Sequence, residues 1–229
     1  AALRILSGIS GESGVLQTLA DNIPGDRPVM GFDFEPTAST VEQMAEASRA
    51  ALSGTEAPLL SGWSLGGVVA HAAVRGSEQA GQAVAGLVLI DSVLGADLPG
   101  LAADATLADW LMDMHGKPAR DEAEARAILR DLGMRTEAAA IEDLVAPWRA
   151  RRAAHAAYRP SGPVQCPVAF LQARPGGGAS DAAVARWRHL AGGRFRVFPL
   201  VADHFALLDD PATATALGEA LVWIEEADA

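Results

Sequence analysis

The chain has 229 residues, half of them hydrophobic, enough to bury the core of one large domain. A formal net charge of −11, from 18 basic against 29 acidic residues, argues against nucleic acid or an anionic membrane as partner. Cys166 is the only cysteine, which excludes an internal disulfide framework and a cysteine-rich metal site and fits a reducing cytosol.

Short apolar runs alternate with helical patterns, which predicts an α/β domain with a mostly parallel sheet. In chain order the strands are LRILS (3–7), PVMGFDF (28–34), APLLSG (57–62), VAGLVLID (84–91), PVAFLQA (167–173) and FRVFPLV (195–201). Several are apolar nearly throughout, as expected of strands covered on both faces. Helices are expected over roughly 13–21, 40–53, 65–79, 181–191 and 212–226. The block from about 96 to 158 breaks the rhythm with three apolar stripes of helical spacing. These are Leu107, Trp110, Leu111 and Met114; Ala125, Ile128, Leu129 and Leu132, with Gly133 placed to end the helix; and Ile141, Leu144, Val145 and Trp148. Such an insertion is expected to cap the C-terminal edge of the sheet as a helical lid. RPGGGAS (174–180) reads as a flexible loop. No apolar run reaches about 18 residues and no signal-peptide pattern opens the chain, so a soluble, cytoplasmic protein is expected. The chain begins at Ala1 and enters a strand at once, as a domain of a longer polypeptide would.

Gly62-Trp63-Ser64-Leu65-Gly66 matches G-x-S-x-G directly after a strand and directly before a helix. In that context the pattern is a nucleophile elbow, a sharp turn that lifts a serine hydroxyl clear of the sheet. The Leu65 N–H, at the helix start, is then free to stabilise an oxyanion. A serine nucleophile needs a base and an orienting acid, in the chain order Ser, Asp or Glu, His. Of the five histidines, His71 follows Ser64 on the same helix, His115 and His155 lie near the ends of insertion helices, and His189 lies within a helix. Only His204, in VADHFALLDD, follows a late strand and can return over Ser64. Two acids are candidates: Asp91, ending the strand VAGLVLID, and Asp181, after the glycine-rich loop and in a helix N-cap context. Consecutive strands are usually neighbours, so Asp91 is expected beside Ser64.

GWSLGG, VLIDS, AAYRPSGPVQCPVAFLQA and ADHFALL, in this order, resemble the terminal thioesterase domains of nonribosomal peptide and polyketide synthases, members of the α/β-hydrolase superfamily. The resemblance spans nearly the whole chain. It implies transfer of an acyl chain from a carrier protein's phosphopantetheine thioester to Ser64, then release to water or as a ring. It also implies Asp91 as the acid, His204 as the base, and the backbone N–H of Ile9 as the second oxyanion donor beside Leu65. The Pro and paired glycines usual in that family's oxyanion loop are absent, with Gly8 and Ser10 in their place. The resemblance requires no metal and no bound cofactor, since the substrate arrives on the carrier's phosphopantetheine arm. Arg149, Arg151 and Arg152, with Arg159 beyond them, read as a solvated helix face. A sharper expectation has Arg149 and Arg152 meeting the pantetheine phosphate or an acidic carrier. The competing readings are a stand-alone editing thioesterase, a small-ester carboxylesterase and a non-catalytic binding module of the same fold.

Overall fold

The computed structural model describes residues 2–50, 57–98, 105–174 and 178–226. The last three residues of the helix expected over 40–53, the start of the insertion at 99–104 and the centre of the glycine-rich loop at 175–177 lie outside them. Each of the six expected strands forms: β1 (Leu3–Leu6), β2 (Val29–Phe32), β3 (Leu59–Trp63), β4 (Gly86–Ile90), β5 (Val168–Gln172) and β6 (Phe195–Pro199). They make one sheet in the order β2-β1-β3-β4-β5-β6, with every pair parallel.

Alternation along the inner strands explains why they read as continuous apolar runs. Leu87 and Leu89 of β4 face one core with α2 (Val41–Ala50), α3 (Leu65–Gln79) and α7 (Asp181–Leu190), whereas Val88 and Ile90 face another with α1 (Gln17–Asp21) and α8 (Pro211–Glu225). The edge strands β2 and β6 are more exposed, as strands with one neighbour must be. The first predicted helix is split, because a 3-10 turn at Ser13–Leu16 precedes α1.

Sheet order fixes where a site can form. The chain leaves β1 towards β2 on one side and returns to β3 on the other, so the loops after β1 and β3 diverge. Ligands of parallel α/β sheets bind in the crevice that such a divergence opens at the strands' carboxyl ends. Here those two loops carry Ile9 and Ser64.

Between β4 and β5 lie α4 (Leu107–His115), α5 (Glu122–Asp131) and α6 (Ala138–Ala157), with no strand among the described residues of the block. Thr106 opens α4 with a reciprocal cap to Asp109, and Gly116, in the left-handed region, closes it. Gly133, at φ +73°, ends α5, with Gly133 N–H donating to the Arg130 carbonyl and Met134 N–H to Leu129. Leu107, Trp110, Leu111, Ala125, Leu129, Val145 and Trp148 form a third cluster of their own. Leu132, assigned to the second stripe from its spacing, is exposed, because the helix ends one residue earlier and the chain turns away. Among the described residues of the insertion only the later half of α6 joins the sheet's core, through Ala154, with Tyr158 just beyond.

Candidate active site

Ser64 sits between β3 and α3 at φ 55° and ψ −121°, a conformation a non-glycine residue occupies only under constraint. The constraint is visible in the flanking glycines. A Cβ on Gly62 would collide with the backbone of Gly66, and one on Gly66 with the carbonyls of Leu6 and Ser7. The spacing of G-x-S-x-G is therefore a clearance requirement of a strand turning straight into a helix. Among the described residues the Leu65 N–H has no acceptor and lies at the positive end of α3.

Strand register brings the acid alongside. Trp63 pairs with Ile90, and the Ser64 N–H donates to the Ile90 carbonyl at 3.0 Å, so Ser64 and Asp91 leave adjacent strands at one level. Asp91 is fully buried and also has a positive φ, 43°. Its Oδ1 accepts the Ala173 N–H at 3.1 Å and the Ala179 N–H at 2.9 Å. Its Oδ2 lies 2.6 Å from Nδ1 of His204, an oriented acid–imidazole pair. Gly178 packs so closely on this carboxylate that any side chain there would strike it. The loop after β5, read from composition as flexible, thus wraps the acid through residues 178–179.

His204 is held from several directions. Its ring stacks on Trp63, with centroids 5.1 Å apart and planes 29° from parallel, and its carbonyl accepts the Trp63 indole N–H at 3.2 Å. Phe205 meets the imidazole edge-on at 5.2 Å. Asp203 accepts the N–H groups of Phe205 and Ala206 at 3.1 and 2.9 Å, pinning the turn that carries the histidine, and these bonds lower the Asp203 carboxyl pKa. Trp63 also covers Gly8, where a Cβ would come within 2.7 Å of its ring. The sequence signal for these contacts was faint: an aromatic in the elbow's variable position and a bare glycine after β1.

The other histidines are engaged elsewhere or exposed. His71 is buried, with Nε2 3.4 Å from the Leu190 carbonyl and its ring edge-on to Trp187. Burial pushes its pKa down to about 4. His155 is buried with Nε2 2.8 Å from the Val93 carbonyl, and desolvation lowers its pKa. His115 packs on Trp110 and His189 is exposed. Asp181 is the first residue of α7, accepting from the Gln172 amide at 3.1 Å, and the cap is Ser180 instead, whose hydroxyl accepts the Ala183 N–H.

Ile9 lies in the turn after β1, part-buried between a sheet core and the insertion's cluster, and its N–H has no acceptor among the described residues. The arginines require a correction. Arg152 is buried, ion-paired to Asp113 and laid over Trp148, and so packs within the insertion. Arg149 donates to the Ala105 carbonyl at 3.0 Å and to Glu142 at 3.2 Å, which ties α6 to the start of α4. The expected solvated face is instead an internal seam, because α6 lies against both its own insertion and the β1 loop.

A parallel sheet with a strained serine at one strand end, and a carboxylate–histidine pair at its neighbour's, is the architecture of the α/β-hydrolases. The chain belongs to the thioesterase domain family, whose model matches residues 8–220. No curated protein matches the sequence. Among solved structures it is similar to holo-AB3403, a four-domain nonribosomal peptide synthetase bound to AMP and glycine. The TM-score is 0.80 and the identity 18%, over 97% of this chain and 19% of that one. YbtT, a type II thioesterase from the yersiniabactin pathway, gives 0.72 and 20% over 99% and 93% of the two chains. The NocB thioesterase domain in covalent complex with a fluorophosphonate nocardicin G analogue gives 0.71 and 24% over 96% and 94%. At these identities the likeness establishes a shared fold. No helix among the described residues is long and apolar enough to cross a membrane.

Proposed function

We propose that this thioesterase works through a Ser64 acyl-enzyme, releasing a peptidyl or polyketidyl chain from the phosphopantetheine thioester of a carrier protein. The observation that carries the reading is the buried Asp91 carboxylate bonded to His204, level with the positive-φ serine of the neighbouring strand. Asp91 fixes the imidazole with its proton on Nδ1, leaving Nε2 as the base. As Ser64 Oγ bonds to the thioester carbonyl carbon, its proton passes to Nε2, and the Leu65 and Ile9 N–H groups receive the oxyanion. The C–S bond then breaks, and Nε2 returns the proton to the departing pantetheine sulfur. In the second half a water, or a nucleophile of the acyl chain itself, gives its proton to Nε2 and attacks the ester. The products are a free acid or a ring, and Ser64 is regenerated. No step requires a metal or a bound cofactor.

The helices α4–α6 act as a lid in this reading. A groove of about 670 Å³ runs between α4, α6 and the loop at 10–12, lined by Trp110 and Trp148 and by Glu12, Glu35 and Asp143. Both a multidomain synthetase and a stand-alone type II enzyme are among the similar structures, and the Ser64 chemistry is the same whether the carrier is fused or separate. Treatment with a fluorophosphonate, followed by mass spectrometry, tests the reading. An adduct on Ser64 is expected, and none on Ser64→Ala. Release from a panel of peptidyl and polyketidyl pantetheine thioesters, set against simple free esters, separates it from a carboxylesterase.

A further inference from the structure

Arg151 is the one charged side chain that joins the helical insertion to the loop after β1 in the described hydrogen bonds. Its Nε donates to the Ile9 carbonyl and its Nη2 to the Ser10 carbonyl, each at 2.7 Å. The residue is 8% exposed, and no carboxylate among the described residues lies within ion-pair distance of it. Burial lowers its pKa, and Glu12 offsets this only through space. Removing a guanidinium from water without an ionic partner is costly, and a well-packed apolar residue usually serves stability as well or better. Stability alone therefore gives little reason for an arginine here.

The loop geometry supplies one. Gly8 to Gly11 form a turn closed by the Gly11 N–H donating to the Gly8 carbonyl at 3.1 Å. Peptide units are planar and trans, so fixing a carbonyl fixes the N–H on the opposite side of the same unit. Arg151 holds the Ser10 carbonyl, which aims the Gly11 N–H at the Gly8 carbonyl. That bond holds the Gly8–Ile9 peptide and so sets the direction of the Ile9 N–H. Gly11 has φ +78°, and a Cβ there would come within 2.8 Å of the guanidinium, so the turn is fitted around this side chain. We propose that Arg151 is a positioning residue that orients the Ile9 N–H as oxyanion donor, making the insertion part of the oxyanion hole. The inference rests on the Ser64 acyl-enzyme reading.

The test uses Arg151→Met and Gly11→Ala, with active sites counted by fluorophosphonate and turnover measured on a hexanoyl-pantetheine thioester. A loosened donor predicts a loss of about 10- to 100-fold in kcat per titrated site, since small misplacements cost that much. The rate of Ser64 phosphonylation should fall in parallel, with KM within about threefold, as for an interaction made only in the transition state. A merely structural role would lower the number of titratable sites and leave the rate at each unchanged; that result overturns the inference. If Arg151→Met does not fold, Gly11→Ala and Arg151→Lys, which keep the charge, decide on the same readouts. Failure of the wild type to label at Ser64 would sink the acyl-enzyme reading and this inference with it. Labelling at equal rates in wild type and variants would sink only the inference.

Discussion

Replacing Asp91 by asparagine separates the carboxylate's architectural work from its chemical work. Oδ1 accepts two backbone N–H groups, from Ala173 and Ala179, while Oδ2 faces His204 Nδ1 at 2.6 Å. An asparagine can satisfy the first pair only by placing its carbonyl oxygen where Oδ1 stands. Its NH₂ must then point at the imidazole, because the reverse orientation would set donors against two buried donors. Nδ1 becomes an acceptor, the proton moves to Nε2, and the base towards Ser64 is lost. The expected fall in kcat is up to about 10⁴-fold, equivalent to ~5.5 kcal/mol of transition-state stabilisation. The fold should survive, since the loop contacts are kept. Asp91→Ala should instead lower thermal stability as well, leaving two buried N–H groups unsatisfied at about 1–3 kcal/mol each. The assay is steady-state release from a pantetheine thioester alongside thermal unfolding of both variants. Asp181→Asn is the counterpart and should change kcat little, since the cap of α7 is Ser180. A healthy Asp91→Asn beside a dead Asp181→Asn would refute the reasoning and move the acid to the later strand.

Other outcomes follow from the same geometry. Ser64→Ala should abolish release, and Ser64→Gly should do so while unfolding at a higher temperature than Ser64→Ala, because glycine relieves a positive-φ strain of about 1–3 kcal/mol. His204→Ala should lower kcat by roughly 10⁴-fold or more, whereas His189→Ala, on an exposed helix face, should not; an equal loss would mean a different base. His71 is held neutral in the fold, with a pKa near 4 against 6.5 in the unfolded chain. The unfolded state therefore binds the extra proton first, and stability is lost as pH falls from about 6.5 to 4, by up to ~3 kcal/mol. His71→Gln should flatten that slope in denaturant titrations, and an unchanged slope would contradict it. Hydrogen exchange should be faster in α4 and α5, which pack in their own cluster, than in β3 and β4, with the later half of α6 intermediate. Uniform protection would count against a mobile lid.

Local rules were enough to read much of this molecule from sequence. Six strands and the elbow of Ser64 follow from patterns a few residues long, because burial on both faces and a glycine-cleared turn impose their residues directly. Placing Asp91 beside Ser64 needed one longer inference, that consecutive strands are neighbours, and the register of Trp63 against Ile90 meets it. What sequence could not carry was the partnership of side chains distant along the chain. Arg149, Arg151 and Arg152 look alike as a charge run, yet one ties α6 to α4, one grips the loop after β1, and one pairs with Asp113. A glycine-rich stretch that suggested flexibility has Gly178 seated on the acid, and Gly8 is bare because Trp63 lies over it. Periodicity tells which face of a helix is apolar, but the sheet order and the placing of the insertion decide what that face meets. An arginine's role depends on which carbonyls or carboxylates the fold delivers to it, and only the tertiary structure supplies those.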